Sequence, residues 1–291
     1  MELNHLRAFA AVAREGNLTR AAKRLFLTQP AVSLQLKALQ EELRLALFTR
    51  TPTGLVLSED GRKLLPIAER VLAGLEEIRS ASARLSNVTR GPLRIGTIVD
   101  PEFTRLGHFL KLLVGEFPLV EPQLAQGISG QVLKRIEEGR ADVGYYIGRP
   151  DAGRFLVKTL APFTYRVIAP RGWRDHVAGR DWRELAELPW IWTPPESAHS
   201  RLLAPIFSER RVEPRVVAVV DQEASMLDLV RCGVGLALAR DSIARREAEA
   251  RGIVIADAVA IETELTFVLP RERGDEPLLN AALSVLERVW E

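Results

Sequence analysis

Between residues 17 and 43 apolar side chains recur at helical spacing, with one break. Ala21, Ala22 and Leu25 make one stripe, Phe26 and Leu27 interrupt it, and Val32, Leu36, Leu39 and Leu43 resume it at intervals of four, three and four. Such intervals keep side chains on one helical face, so two short helices with a tight break are predicted over Leu18–Leu43. Asn17 and Thr19 stand at the start of the first and Thr28 at the start of the second. These residue types cap helices by accepting from free N–H groups of the first turn. Pro30 falls in the second helix's first turn, where a missing N–H costs nothing. Gln29, Ser33 and Lys37, four apart, share the opposite face. Upstream, Leu3, Leu6, Phe9, Ala10, Val12 and Ala13 predict a further helix ended by Gly16. Downstream, Leu47–Arg50 and Leu55–Leu57 read as short strands joined by the turn signal Thr-Pro-Thr-Gly, forming a wing.

Ser58 then caps a long helix with Glu59 and Asp60 in its first turn. Leu64, Ala68, Val71, Leu75, Ile78, Ser82 and Leu85 alternate intervals of four and three. This is a heptad seam, which fits a helix that pairs with a second copy; packing on its own domain is the alternative. Asn87–Pro92 reads as a hinge. After it the period changes: LRIGTIV, VEPQLAQGI and ADVGYYIG are strand-like and alternate with helical stretches over Thr104–Phe117 and GQVLKRIEEG. That alternation predicts a parallel sheet in an α/β domain. YRVIAP, LPWIWT, RVVAVV, GLALA and ELTFVLP are further strands. Ser200–Arg210, Ala224–Cys232 and Leu278–Trp290 are further helices.

At 291 residues and 47% hydrophobic content, the chain can build more than one core. Its net charge of +2 is unevenly spread: residues 1–90 carry 14 Lys/Arg against 9 Asp/Glu, the rest 26 against 29. A basic head on a mildly acidic body is the expected footprint of DNA binding, with Gln29 and Ser33 at base edges and Lys37 and Arg50 at phosphates. A single cysteine excludes an internal disulfide framework. Cys232 lies in an apolar run and is expected to be a buried small hydrophobe. The four histidines, His5, His108, His176 and His199, have no metal-ligand spacing, so neither metal nor cofactor is expected. No nucleophile-elbow motif occurs, so the chain does not read as an enzyme. The charged N-terminal stretch lacks a signal peptide's apolar core, and no apolar run is long enough to span a membrane, so a cytoplasmic protein is expected.

The segment Leu18–Gly61, with AAKRL, TQPAVS, LFTR and LSEDG, resembles the winged helix-turn-helix of LysR-type transcriptional regulators. The order of elements agrees over the full length. Three positions depart from the family's usual pattern: Arg44 replaces glycine, Gln40 replaces glutamate, and Leu34 occupies a position often basic. The resemblance implies an α/β protein with an N-terminal α+β head. A winged helix-turn-helix over 1–58 and a dimerisation helix over 59–88 would precede an effector domain over 91–291. That domain would be two-lobed, like periplasmic binding proteins, with lobe I at 91–162 and 268–291 and lobe II at 163–267. It also implies promoter DNA as partner, contacted by Thr19, Thr28, Gln29, Pro30, Ser33, Lys37, Arg50 and Thr53. Self-association to dimer and tetramer, contact with RNA polymerase and a small-molecule effector follow from the same likeness. Two other functions fit parts of the chain: a solute-binding protein, which leaves the basic head unexplained, and a constitutive DNA-binding regulator without effector.

The effector cleft is expected between the lobes, outside the carboxyl ends of strands. Thr97, Val99, Asp100 and Thr104 surround the loop after the first strand, and Ser129 opens a helix after the second. Tyr146 and Thr193 end strands, with Trp192 and Pro194 beside Thr193, and Glu223 opens a helix with Ser225 close behind. Asp100 reads either as a helix cap ahead of Pro101 or as a carboxylate beside Glu102 at the cleft mouth. The second reading favours a neutral or cationic effector, because like charges repel.

Overall fold

The computed structural model describes residues 2–51, 54–85, 89–98 and 100–291, with the side chains of 50, 76, 77 and 79–85 left aside. The expectations for Thr53 and Val99, for the Arg50 side chain, and for Ser82 and Leu85 in the seam therefore lie outside the described residues. The chain forms two compact units, Met1–Ser86 and Asn87–Glu291.

The first unit holds α1 (Leu3–Glu15), α2 (Leu18–Leu25), α3 (Gln29–Leu43), β1 (Phe48–Thr51), β2 (Gly54–Leu57) and α4 (Glu59–Leu85). Each boundary has a local cause. Gly16 takes the left-handed conformation that ends α1. The Asn17 side chain accepts from the N–H groups of Thr19 and Arg20 at 2.8 and 3.1 Å, and Thr28 Oγ1 accepts from Ala31 N at 3.4 Å. Ser58 Oγ accepts from Gly61 N at 2.9 Å and donates to Ala46 O at 2.6 Å. Phe9, Val12, Ala21, Ala22, Val32, Leu36, Leu39 and Leu47 form the buried core. On α1 the inner stripe is Leu6, Ala8, Phe9, Ala11 and Val12, so Leu3, Ala10 and Ala13 lie outside it. The wing turns back on α1 where Leu55 N donates to Gly16 O at 3.0 Å. Gly54 fits only as glycine there: its φ is +137°, and an added Cβ would lie 2.6 Å from Gly16 O.

The seam of α4 divides. Ala68 is buried in the head's own core, with Leu64 packed against it, whereas Val71 and Ile78 are 45% and 67% exposed. The sequence could not separate these roles, because one helix serves the core with its first turns and continues past it. Arg44 ends α3 in the left-handed region, φ +55°, where a side chain costs about 1 kcal/mol relative to glycine. Arg44→Gly is therefore expected to raise the head's unfolding midpoint, read by far-UV circular dichroism on heating. An unchanged or lower midpoint would show that the arginine side chain stabilises more than its backbone strain costs.

The second unit runs β3 (Gly91–Thr97), α5 (Leu106–Glu116), β4 (Val120–Gln126), α6 (Ser129–Glu137), β5 (Val143–Ile147), β6 (Phe155–Ala169), α7 (Arg174–Val177), α8 (Trp182–Ala186) and β7 (Pro189–Trp192). It continues with α9 (Ala198–Glu209), β8 (Arg215–Val219), α10 (Glu223–Arg231), β9 (Ala237–Arg240), α11 (Asp241–Arg251), β10 (Val254–Pro270) and α12 (Pro277–Trp290). The main sheet has the order β4-β3-β5-β10-β6-β9, and β7-β8 form a second sheet, tied to the first by a bridge from Trp190 to Leu236. The expectation of a parallel sheet needs correction. Only β4-β3-β5 and β7-β8 are parallel; β10 and β6 return through the middle and make the remaining pairings antiparallel. Both are also longer than YRVIAP and ELTFVLP suggest, pairing from Phe155↔Pro270 to Ala169↔Val254 with bulges on the way. Thr104 stands in a turn ahead of α5, which starts at Leu106.

Cys232 is exposed, not buried. It caps the end of α10, whose inner face is Met226, Leu227 and Val230, and burial resumes at Gly235 and Leu236, just ahead of β9. The apolar run around it thus comes from two elements whose junction faces solvent.

Candidate functional site

Two surfaces, one in each unit, collect the polar side chains singled out above. In the head, Gln29, Ser33 and Lys37 of α3 line one groove with Asn17 and Thr19 at the start of α2 and with Thr51 and Gly54 of the wing. Thr28 and Pro30 are exposed beside it and set how α3 begins. Lys37 Nζ lies 3.6 Å from Glu41, an exposed pair worth at most about 1 kcal/mol, which a phosphate can displace. Gln40 was not anticipated as a site residue, yet it lines the groove while its Oε1 accepts from Leu47 N at 2.8 Å. That bond fixes the chain between α3 and the wing. The groove offers amide and hydroxyl groups plus a cation along one helix, the set that reads base edges and holds phosphate.

In the second unit a partly open cleft of about 640 Å³, adjoining solvent included, is walled by Ile98, Phe103, Ile128, Ile147, Tyr165 and Met226. The first turns of α6, α9 and α10 all reach it. Of the residues anticipated here, Ser129, Thr193 and Glu223 line the cleft. Ser129 Oγ accepts from Ile147 N at 3.3 Å, and Thr193 shares its hydroxyl with Ser197 and Ser200. Thr97, Thr104 and Tyr146 do not line it. Thr97 Oγ1 turns to Ile98 O at 3.2 Å, and the fully buried Thr104 donates to the carbonyls of its own turn. Tyr146 is buried beneath the guanidinium of Arg201, 4.4 Å from its ring, and Arg201 also donates to Ile147 O at 2.9 Å.

Asp100 makes the cap bond expected of it, but on the turn that precedes α5. It does not cap α5; its Oδ1 accepts from Phe103 N at 2.9 Å within a tight turn. Nor is it a free carboxylate, because its other oxygen is paired with Arg240. Burial opposes its charge, but the Phe103 N–H and Arg240 hold its carboxyl below the usual range. Arg240 is 7% exposed, lies 4.1 Å over the Phe103 ring and has Glu223 at 4.0 Å. Glu223 is pushed the other way: burial raises its pKa, Arg240 offsets this in part, and Asp100 adds to it. One guanidinium thus serves two carboxyls, and Glu223 holds the weaker claim. Asp221 also lines this end. Near it the His199 ring stands edge-on to Tyr165 at 4.8 Å, its pKa pushed down to about 4 by burial and by Arg240, so it is neutral at physiological pH.

Arg240, His199, Tyr165 and Asp221 were not anticipated. The one local signal was the arginine ending the apolar strand GLALAR, a charge at a strand's carboxyl end. Among the described residues no group of His, Cys, Asp and Glu could hold a metal ion, and no helix is long and apolar enough to cross a membrane.

Comparison with known proteins covers nearly the whole chain. A family model described as the bacterial regulatory helix-turn-helix protein, lysR family, matches residues 3–62, and one for the LysR substrate binding domain matches residues 86–291. The transcriptional regulator ClcR of Pseudomonas putida is 30% identical over 252 residues, 84% of each chain. IlvR of Caulobacter vibrioides is 29% identical over 98% of this chain and 97% of its own. Full-length CbnR complexed with its target DNA shares the fold, with a TM-score of 0.62 at 22% identity over 99% of this chain and 100% of that one.

Proposed function

This chain belongs to the LysR family of bacterial transcriptional regulators, and from that premise we propose that it reads an interrupted palindrome in promoter DNA and responds to a small molecule held in the cleft of residues 87–291. The observation that carries the reading is the head groove, where Gln29, Ser33 and Lys37 come together on one helix beside the wing. Gln29 and Ser33 address base edges. Lys37, with Arg50 and Thr53 from the wing, holds the backbone. Thr19, Thr28 and Pro30 set the two helices. Two heads bind two half-sites about one helical turn or a multiple of it apart. The exposed Val71 and Ile78 on α4 supply an apolar face for a second copy, and dimers pair to tetramers. The protein works in the cytoplasm, has no catalytic role, and passes its signal to RNA polymerase.

The effector is a neutral or cationic molecule with an apolar body. The charge argument rests on Glu223 in place of Asp100: Arg240 is already committed to Asp100, and the loosely held Glu223 carboxyl faces the cleft with Asp221. A ligand N–H or ammonium group satisfies Glu223, whereas for a ligand carboxylate the one arginine among the described lining residues, Arg240, is already paired with Asp100. Ser129 and Thr193 offer hydroxyls on the same cleft wall. Coupling to DNA requires the effector to prefer one arrangement of the subunits.

Thermal unfolding of the full chain against amines, neutral aromatics and polyols, and carboxylates tests this reading. A compound at 100 times its Kd adds about 2.7 kcal/mol, a shift of a few degrees. Stabilisation by an amine or neutral compound, lost on Glu223→Ala, is expected. Stabilisation by carboxylates that survives Glu223→Ala would contradict the charge assignment. No stabilisation by any class, with sequence-specific DNA binding intact, would favour a constitutive regulator.

A further inference from the structure

Leu34 occupies an outward position on α3. The buried residues Val32, Leu36 and Leu39 define the inner side of this helix. At 3.6 residues per turn, position 34 falls almost opposite their mean direction, on a ridge it shares with Pro30 and Glu41. Its side chain is 69% exposed. Gln29, Ser33 and Lys37 lie along one flank of that ridge, bordering the groove with the wing. A helix laid in the major groove presses its outermost side chain against base edges. Four apolar carbons there meet either a hydrogen-bonding group, which they leave unsatisfied, or a methyl group. In unmodified DNA the major groove carries one kind of apolar group, the C5-methyl of thymine.

We propose that Leu34 is a specificity residue that reads a thymine methyl at one position of each half-site. A leucine at this apex rejects guanine and cytosine edges by desolvating them and gains by burying the methyl, whereas a basic side chain there would favour guanine or phosphate. The residue therefore shifts the recognised sequence instead of merely weakening contact with it. Gln29 and Ser33, on the flank, read neighbouring base pairs independently of it.

The probe is duplex DNA selected from a randomised pool by the full-length wild-type chain. The wild type is expected to enrich thymine at one position per half-site, and Leu34→Ala to enrich the same half-sites with that position relaxed. Uracil in place of that thymine removes only the methyl and keeps every hydrogen-bonding group. It is expected to weaken wild-type binding about fourfold per half-site, one buried methyl's worth, and to leave Leu34→Ala binding unchanged. Equal salt-dependent binding of both proteins to unselected DNA establishes that the variant folds. Uracil tolerated by the wild type at every thymine, or an unrelaxed position in the sequences selected by Leu34→Ala, would overturn the assignment. Enrichment of no sequence by the wild type would overturn it together with the reading of the head.

Discussion

Gln29→Ala is expected to lower affinity for a selected duplex ten- to a hundredfold, about 1–3 kcal/mol per lost base contact, while binding to scrambled DNA stays the same. The separation follows from where Gln29 sits. It is exposed in the first turn of α3, and the cap of that helix comes from Thr28. Truncation therefore removes a base-reading group without loosening the helix. Lys37→Ala is the informative contrast, since loss of a phosphate contact weakens selected and scrambled DNA alike and flattens the salt dependence. Fluorescence anisotropy on both duplexes at two salt concentrations distinguishes the two behaviours. Equal losses on both duplexes for Gln29→Ala would remove it from base readout.

The largest expected effect on stability lies away from both functional surfaces. Asp142 is 1% exposed, and its carboxylate accepts from Arg94 N, Nε and Nη2 at 2.8, 2.9 and 2.8 Å and from Arg273 Nη1 at 2.8 Å. It joins the start of β5 to β3 and to the turn after β10. Asp142→Ala leaves Arg94 without its carboxylate partner and is expected to cost about 3–5 kcal/mol. All five tryptophans lie between residues 173 and 290, so their emission during urea unfolding of the full chain reports this unit alone. A midpoint unchanged by the substitution would refute the assignment. The pH dependence has a definite sign. Burial opposes the Asp142 charge, but the arginines hold its folded pKa below the ordinary value of 3.8. Its contribution is thus fully present above that value and is lost as pH falls through the lower, folded one, so acid narrows the gap between wild type and Asp142→Ala.

The head was legible because its determinants are local. The cap bonds of Asn17, Thr28 and Ser58 reach no more than three residues along the chain, and the intervals among Val32, Leu36 and Leu39 state which face is buried. The cleft was only partly legible because its determinants are distant. Asp100 and Arg240 are 140 positions apart, so no window around Asp100 discloses that its charge is neutralised. Nor does that window disclose that Arg240 also stands 4.0 Å from Glu223. Strands β6 and β10 were under-read because exposed and half-buried residues such as Lys158, Thr159 and Glu264 sit among the apolar ones while the pairing continues. Helix α11, charged along DSIARREAEAR, was missed because only Ile243, Ala244 and Glu247 are buried, too few to set a period. Cys232 failed for the opposite reason, an apolar run that crosses a solvent-facing junction.

The central claim, that occupancy of the cleft changes how the protein holds DNA, is tested most directly by hydroxyl-radical footprinting on the selected duplex. The full chain is compared with and without the compound that most raises its unfolding midpoint. A protected region that shortens, lengthens or shifts phase with the compound, and a Glu223→Ala chain whose footprint ignores it, is the expected result. An identical footprint at saturating compound, with the cleft demonstrably occupied, would contradict the account.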